Sequence, residues 1–488
     1  MGSLPVGAVF RTDRRIAILA CCARQATGGP PVPQIQATPK STYRLPSLTP
    51  FPSSRDDRCM PQPPSQELLS VQQAIRIIDQ APVAPRTARV PLEAAVGLRL
   101  ADDLTADRDY PPFLKSLMDG YAVRRVDVGA LPAELRVVGE VAAGASSHRA
   151  LEAGEAMAIM TGAPLPTGAD GVVPVEDVEQ RVPIGEIVRI LRAPASPRYT
   201  AAPASDCPAG RVVLKAGTML GPRQIAVAAA IGADEVLCFA RPRVAVLGTG
   251  DEIVPVYQTP GPWQIRDSNT PMLAALLRNL GCEVADVGTV RDDPEETRAA
   301  LRHGLSFDAL FVTGGMSMGE YDYVPRLLAE LGVELKITKL RIKPGKPFVF
   351  GSLSPTSSNE QQSSRAPRTT PTYVFGLPGN PVSAFVCTVR LASRLAARMG
   401  GGLPIERWVT GRLTEGLPAN GPREFYQPAI RAVAPGHHSG QSEFASITPL
   451  AWKGSADLFT LASANVLLVR AENDSLAPKG TLVRVLEI

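Results

Sequence analysis

The chain has 488 residues, 44% hydrophobic and 20% charged, too long for one hydrophobic core and enough for about three domains. Net charge is +4, but residues 1–64 hold eight Lys/Arg and three Asp/Glu, so the other 424 residues sum to −1; a nucleic-acid binder carries its basic excess on a folded face, and that class is excluded. No apolar run reaches the ~18 residues of a membrane helix, and the seven cysteines form no CxxC pair, which points to a reduced, cytoplasmic protein without a membrane segment.

Residues 1–64 mix Arg, Pro, Ser and Thr around one short apolar patch, Ile16 to Cys22. This is the composition of a disordered extension, or of a start assigned upstream of Met60; an acid-poor transit peptide fits it loosely. Ser70-Val71-Gln72-Gln73 has capping-box spacing and predicts a helix with Val71, Ala74, Ile75 and Ile78 on one face. Residues 89–104 and 121–192 read as short strands broken by Gly and Pro, which argues for a small β domain. Residues 192–211 read as a Pro/Ala/Ser loop, and Gly221-Pro222 opens another helix with Pro in its first turn.

From Arg243 the pattern changes to strands alternating with helices. Val244 to Leu247 is an apolar strand ending in Gly248-Thr-Gly-Asp-Glu252. Ser268-Asn-Thr-Pro caps a helix that stops at Gly281. Glu283 to Val290 is a strand, and Pro294 to His303 a helix closed by Gly304. Ala309 to Val312 is a strand that stops at Thr313-Gly314-Gly315; beyond the turn lie Ser317, Glu320 and Asp322, then helical spacing at Val324, Leu327, Leu328 and Leu331. Such an alternation means a doubly wound α/β domain over about 243–400. Further strands are read in Lys336–Phe350 and Tyr373–Phe375, separated by a solvated Ser/Thr/Gln/Pro-rich insertion at 352–372. A helix runs from Val382 to about Met399, and a small β domain ends the chain.

Strand, glycine turn and helix make an anion site at the carboxyl edge of a sheet. Three acidic turns fall on that edge: Gly250-Asp251-Glu252, Arg291-Asp292-Asp293 and Gly319-Glu320-Tyr321-Asp322. A fourth, Met118-Asp119-Gly120, lies in the β domain. Singly, each is an ordinary solvated loop acid; gathered, with only four histidines in the chain, they suit a hard cation such as Mg2+. Lys343-Pro-Gly-Lys346-Pro holds two ammonium groups on a constrained loop, an arrangement for phosphate. Thr161-Gly162-Ala163 offers a hydroxyl and close backbone approach.

These motifs occur in the order of a known family. Pro111-Pro112-Phe113 through Met118-Asp-Gly-Tyr-Ala-Val123, Thr161-Gly-Ala-Pro-Leu-Pro-Thr-Gly-Ala-Asp170, Gly248-Thr-Gly-Asp-Glu252, Asp267-Ser-Asn269, Arg291-Asp-Asp293, Thr313-Gly-Gly315, Lys343-Pro-Gly-Lys-Pro347 and Gly376-Leu-Pro-Gly-Asn-Pro-Val-Ser-Ala384 resemble the molybdopterin molybdenumtransferases, the bacterial MoeA type and the E domain of gephyrin, over roughly 66–488. The resemblance implies insertion of molybdate into adenylylated molybdopterin with Mg2+, releasing AMP and the molybdenum cofactor. It also implies a homodimer whose cleft joins the α/β domain of one subunit to the β domain of the other.

On that basis 65–88 and 209–241 form a linker and dimerisation domain, 89–208 the β-rich domain, 242–407 a MogA/MoaB-like α/β domain, and 408–488 the C-terminal β domain. Carried over position by position, Glu252, Asp293 and Asp322 are expected at metal and pyrophosphate, and Lys343 and Lys346 at phosphate or molybdate. Thr313, Gly314, Gly315, Ser317, Pro378 and Pro381 are expected at substrate, while Asp119 and Thr161 reach across the dimer. Two positions depart from the family: Leu114-Lys115 stand where it has Asp-Asn, and Gly248 where it often has Ser. The alternatives are the adenylyltransferase of the preceding step, also a possible partner, and a gephyrin-E-like scaffold.

Overall fold

Ser70 and Gln73 close the capping box that their spacing predicts. Gln73 N–H donates to Ser70 Oγ at 3.2 Å, and Ser70 N–H donates to Gln73 Oε1 at 2.7 Å, which satisfies two amides a helix start leaves unpaired. The helix Val71–Asp79 then buries Val71, Ala74, Ile75 and Ile78 on one stripe. Each larger side chain there contributes about 1.5–3 kcal/mol over exposure. The structure is a computed structural model describing residues 68–193, 199–316, 323–355, 370–432 and 444–488, all within the unit Gln66–Ile488. The N-terminal extension and most of the insertion read at 352–372 therefore lie outside the described residues, as do Ser317, Glu320 and Asp322.

The α/β domain is built on six strands: β1 (Arg243–Thr249), β2 (Glu283–Val290), β3 (Ala309–Thr313), β4 (Glu334–Ile337), β5 (Val349–Leu353) and β6 (Thr372–Leu377). Their order is β2-β1-β3-β6-β5-β4; the first four run parallel, β5 runs antiparallel to β6, and β4 antiparallel to β5. Alternation along β1 assigns its faces. Val244 and Val246 join a core with Leu273 and Leu277 of helix α1 (Asn269–Asn279), while Ala245 and Leu247 join Leu301 of α2 (Pro294–Gly304) and Leu327 of α3 (Val324–Glu330) on the other side. Helices on both faces explain the uninterrupted apolar run that a solvated sheet would not show. On the α1 face, Phe311, Phe350 and Phe375 stack with centroids 4.9 and 5.2 Å apart.

Around this, among the described residues, lie three further sheets of three or more strands and three two-stranded pairings. Thr87–Pro91 pairs with Glu235–Phe239, which also pairs with Arg99–Leu100. A five-stranded sheet carries Gly120–Val123 between Gly171–Pro174 and Glu155–Ile159. In the C-terminal region, Glu424–Ala432 pairs with both Ala445–Pro449 and Val466–Arg470, closing a small barrel. The whole is a multidomain α/β fold.

Four local expectations need correction. Gly304 ends α2 as its last residue rather than following it, and a Cβ there would sit 2.5 Å from Leu310 Cδ1; the glycine also allows close approach to β3. Ser268 makes no capping bond; Asp267 Oδ1 instead accepts from Thr270 N–H at 3.0 Å. The stretch read as a plain loop at 192–211 contains Thr200–Ala201, paired with Lys115–Ser116, a strand too short for periodicity to reveal. The helix after Pro381 is interrupted by a π segment at Thr388–Ala392.

Candidate active site

The parallel strands β1, β2, β3 and β6 end side by side at Thr249, Val290, Thr313 and Leu377. Beyond them opens a cavity of about 530 Å³, walled by Thr249, Glu252, Asn269, Asp292, Thr313–Met316 and Pro378–Asn380. A second cavity, about 780 Å³, shares Gly250, Ile253 and Asp267 with the first and adds Asp251, Asp286 and Arg291. Ligands of open α/β sheets bind at this edge, where helices diverge and leave a crevice.

The wall is tied together across long sequence separations. Asn269 Nδ2 donates to Thr313 Oγ1 at 2.8 Å and to the Gly379 carbonyl at 2.7 Å, and Thr313 Oγ1 also lies 3.3 Å from the Pro378 carbonyl. Asp267 accepts from Thr270 N–H and from Thr289 Oγ1, the latter at 3.1 Å. The glycine turn is shaped by contact: at Gly314, φ is +93°, and a Cβ there would stand 2.3 Å from the Thr249 carbonyl oxygen. Gly314 N–H points back to the Leu377 carbonyl at 3.3 Å, so it does not serve as an anion donor into the cavity.

The acids divide into two groups. Glu252 and Asp292 line the first cavity. Asp293, expected at the metal, caps α2, its Oδ1 accepting from Glu295 N–H at 2.9 Å and Glu296 N–H at 2.8 Å. Asp292 N–H donates to Asp251 Oδ1 at 3.2 Å. Burial first, then the charges of Asp292, Asp293 and Asp251, push the Tyr323 phenol above its ordinary value, a sign of how closely these acids gather. Among the described residues no group of three His, Cys, Asp or Glu side chains is arranged to hold a metal, and Asp322 lies outside them.

Asp119 and Thr161 form a separate feature at the edge of the β domain. Asp119 Oδ1 accepts from Thr161 N–H at 2.7 Å and Thr161 Oγ1 at 2.9 Å. These two bonds, outweighing desolvation and helped by Arg181, hold the carboxyl below its ordinary value. Neither residue lines either cavity. Lys343 lies on the short strand Ile342–Lys343, which pairs with Glu424–Phe425 of the barrel, and its Nζ sits 4.9 Å from the Phe425 ring. Lys346 is exposed; of this loop Pro347 reaches the cavity wall. Pro378 lines the cavity, and Pro381 starts the helix Pro381–Cys387. Sequence reasoning passes over Thr249, Asn269 and Asp292 as site residues; each sits inside a quoted motif, and only its place on the sheet edge distinguishes it.

Residues 69–232 match the MoeA N-terminal region (domain I and II), and residues 245–397 match a probable molybdopterin binding domain. A molybdopterin molybdenumtransferase of Nostoc sp. is 32% identical over 473 residues, covering 93% of this chain and 98% of that one. The chain belongs to the molybdopterin molybdenumtransferase family. Another member, molybdopterin molybdenumtransferase 1 of Mycobacterium tuberculosis, is 32% identical over 422 residues, covering 82% of this chain and 94% of its own. The crystal structure of a molybdopterin biosynthesis MoeA protein from Pyrococcus horikoshii superposes with a TM-score of 0.70 at 30% identity, covering 86% of this chain and 99% of that one. As a member of this family the chain is a transferase of molybdenum cofactor biosynthesis. Among the described residues no helix is long and apolar enough to cross a membrane.

Proposed function

We propose that the chain binds adenylylated molybdopterin in the cavity at the ends of β1, β3 and β6, accepts molybdate there, and releases AMP and the molybdenum cofactor. The observation that carries the reading is the acid-walled cavity lying inside the segment, 245–397, that matches a molybdopterin binding domain. Water adds to phosphorus, the P–O–P bridge of the substrate breaks, and AMP leaves with the bridging oxygen or the water's. Lys343 and Lys346 supply positive charge for the phosphates and molybdate, with Lys343 held beside Phe425.

Mg2+ fits the donor set: Glu252 and Asp292 bring oxygen ligands only, and this cation prefers a few carboxylates together with water and substrate phosphate. When bound it would neutralise charge developing on the pyrophosphate. Glu252 and Asp292 would hold it, with Asp322 as the expected third acid and Asp293 positioning the loop through its cap. The active unit in this reading is a homodimer. Since Asp119 and Thr161 lie outside the cavity of their own chain, they serve the cavity of a second copy, Asp119 ionised at neutral pH and fixed by Thr161.

The test is AMP release from adenylylated molybdopterin by the purified full chain with Mg2+, with and without molybdate. Molybdate-dependent release is expected. Binding without release would favour a scaffold, and synthesis of the adenylylated compound from molybdopterin and ATP would favour the adenylyltransferase reading.

A further inference from the structure

Two aromatic side chains of the C-terminal barrel stand beside the lysine loop. Pro344 and Pro347 in Lys343-Pro-Gly-Lys346-Pro have no amide N–H, so this loop cannot continue a ladder of its own. Ile342–Lys343 is instead added to the barrel as a short strand, with Ile342 beside Glu424 and Lys343 beside Phe425; the Glu424 N–H donates to the Arg341 carbonyl at 3.0 Å. Backbone pairing fixes the Cα of Lys343 but not its charge, because an exposed lysine keeps its rotamer freedom. The ring supplies the missing restraint: Nζ lies 4.9 Å from the Phe425 centroid, inside the range at which a ring face attracts a cation.

Phe425 is itself held from behind. Its ring centroid is 6.0 Å from that of Trp452, with the planes at 32°, and Trp452 is half-buried against the core on the α1 face. A little further along the same barrel loop, the Ser455 carbonyl accepts from the Val382 N–H at 3.0 Å. One loop of the barrel therefore supports both the lysine strand and the start of the helix Pro381–Cys387. A ring face also differs from a carboxylate in what it leaves available. It orients the ammonium without neutralising it, so the full positive charge remains for an incoming oxyanion.

We propose that Phe425, backed by Trp452, is a positioning residue that holds the Lys343 ammonium in place for the reaction. The barrel then takes part in the chemistry through Lys343 without itself touching substrate. This rests on the functional reading above, in which Lys343 meets phosphate or molybdate, and deepens it by naming what aims that charge.

The experiment compares the purified full chain with Phe425→Leu, which removes the ring and keeps an apolar strand residue, and with Phe425→Tyr, which keeps the ring. Carbon-13 methyl groups placed on the lysines preserve their charge, and the Lys343 signal is identified by its loss in Lys343→Arg. In wild type and Phe425→Tyr the ring current should move that signal upfield of the exposed lysines; in Phe425→Leu it should fall among them. In molybdate-dependent AMP release per folded chain, Phe425→Leu should lose about 2- to 5-fold in kcat/KM, the worth of one exposed contact between a cation and a ring (~0.5–1 kcal/mol). Phe425→Tyr should stay within about twofold of wild type. A ring that only fills space would lower the melting temperature of Phe425→Leu while moving neither the lysine signal nor the rate per folded chain, and that result would overturn the proposal. So would a shifted signal with unchanged kcat/KM, or a Phe425→Tyr protein no better than Phe425→Leu. A wild type without molybdate-dependent release would overturn the functional reading itself, and with it this one.

Discussion

Replacing Gly314 by Ala perturbs the turn that joins β3 to the cavity, and its effect divides into two parts. The first is conformational: at φ +93° an L side chain costs about 1–2 kcal/mol. The second is steric. The new Cβ would stand 2.3 Å from the Thr249 carbonyl oxygen and 2.8 Å from Thr249 Oγ1, and a strand-end carbonyl cannot rotate away, so the ends of β1 and β3 must part. Overpacking of this kind costs about 1–3 kcal/mol, for a total of about 2–5 kcal/mol. Gly288 provides the control, since it lies on β2 at the other side of β1, has the same φ of +93°, and faces open space. Gly288→Ala should therefore lose only the first part, about 1–2 kcal/mol. Native-state hydrogen exchange of the amides in β1 and β3 reads both losses in one sheet. Gly314→Ala should also weaken molybdopterin binding, because the parted strand ends wall the proposed binding cavity. Equal losses in the two variants would refute the steric part of the reasoning, and unchanged ligand affinity would remove the turn from the site.

Two other outcomes follow from the geometry. Asp119 is held below its ordinary value of 3.8 by the Thr161 amide and hydroxyl; a depressed carboxyl contributes stability above 3.8 that is lost only as pH falls through the lower folded value. The Asp119–Thr161 contact should thus persist at pH 5, and Thr161→Val should raise the Asp119 midpoint toward 3.8 in a carboxyl NMR titration, with no rise removing the hydroxyl from the account. Arg390 is 3% exposed and bonds Glu406 and Tyr426, with Arg394 bridging Glu406 and Asp79. Arg390→Ala would take one of the two guanidinium partners from Glu406 and the donor that meets the Tyr426 hydroxyl, and should destabilise the junction of the α/β domain with the barrel by about 1–3 kcal/mol, measured by thermal unfolding; a loss under about 1 kcal/mol would mean water reaches the network.

Where local rules act alone, the chain could be read directly. The Ser70–Gln73 box, the apolar run of β3 and its arrest at Thr313-Gly-Gly each depend on neighbours within a few residues. The alternating faces of β1 could be inferred once a helix was expected on each side. The site was legible as a set of motifs and much less so as a set of contacts. Adjacent acids at 292 and 293 look equivalent in one dimension, yet one faces the cavity and the other caps α2, because a strand end and a helix start turn successive side chains apart. Gly304 reads as a helix stop, and its second role appears only when Leu310 is seen against it. Lys343 reads as a free cation, but its neighbour Phe425 comes from a barrel strand far along the chain. Thr249 and Asn269 lie inside quoted motifs, but their place on the cavity wall exists only after β1, β3 and α1 have met.

In the proposed homodimer, each site takes Asp119 from one copy and Glu252 from the other. Asp119→Ala and Glu252→Ala should each be inactive in molybdate-dependent AMP release. Unfolded together and refolded as a mixture, half the dimers would hold one copy of each, and one of the two sites in those dimers would be intact, so about a quarter of wild-type activity should return. A mixture as inactive as its two parents would contradict the shared site and return Asp119 to the surface of its own domain.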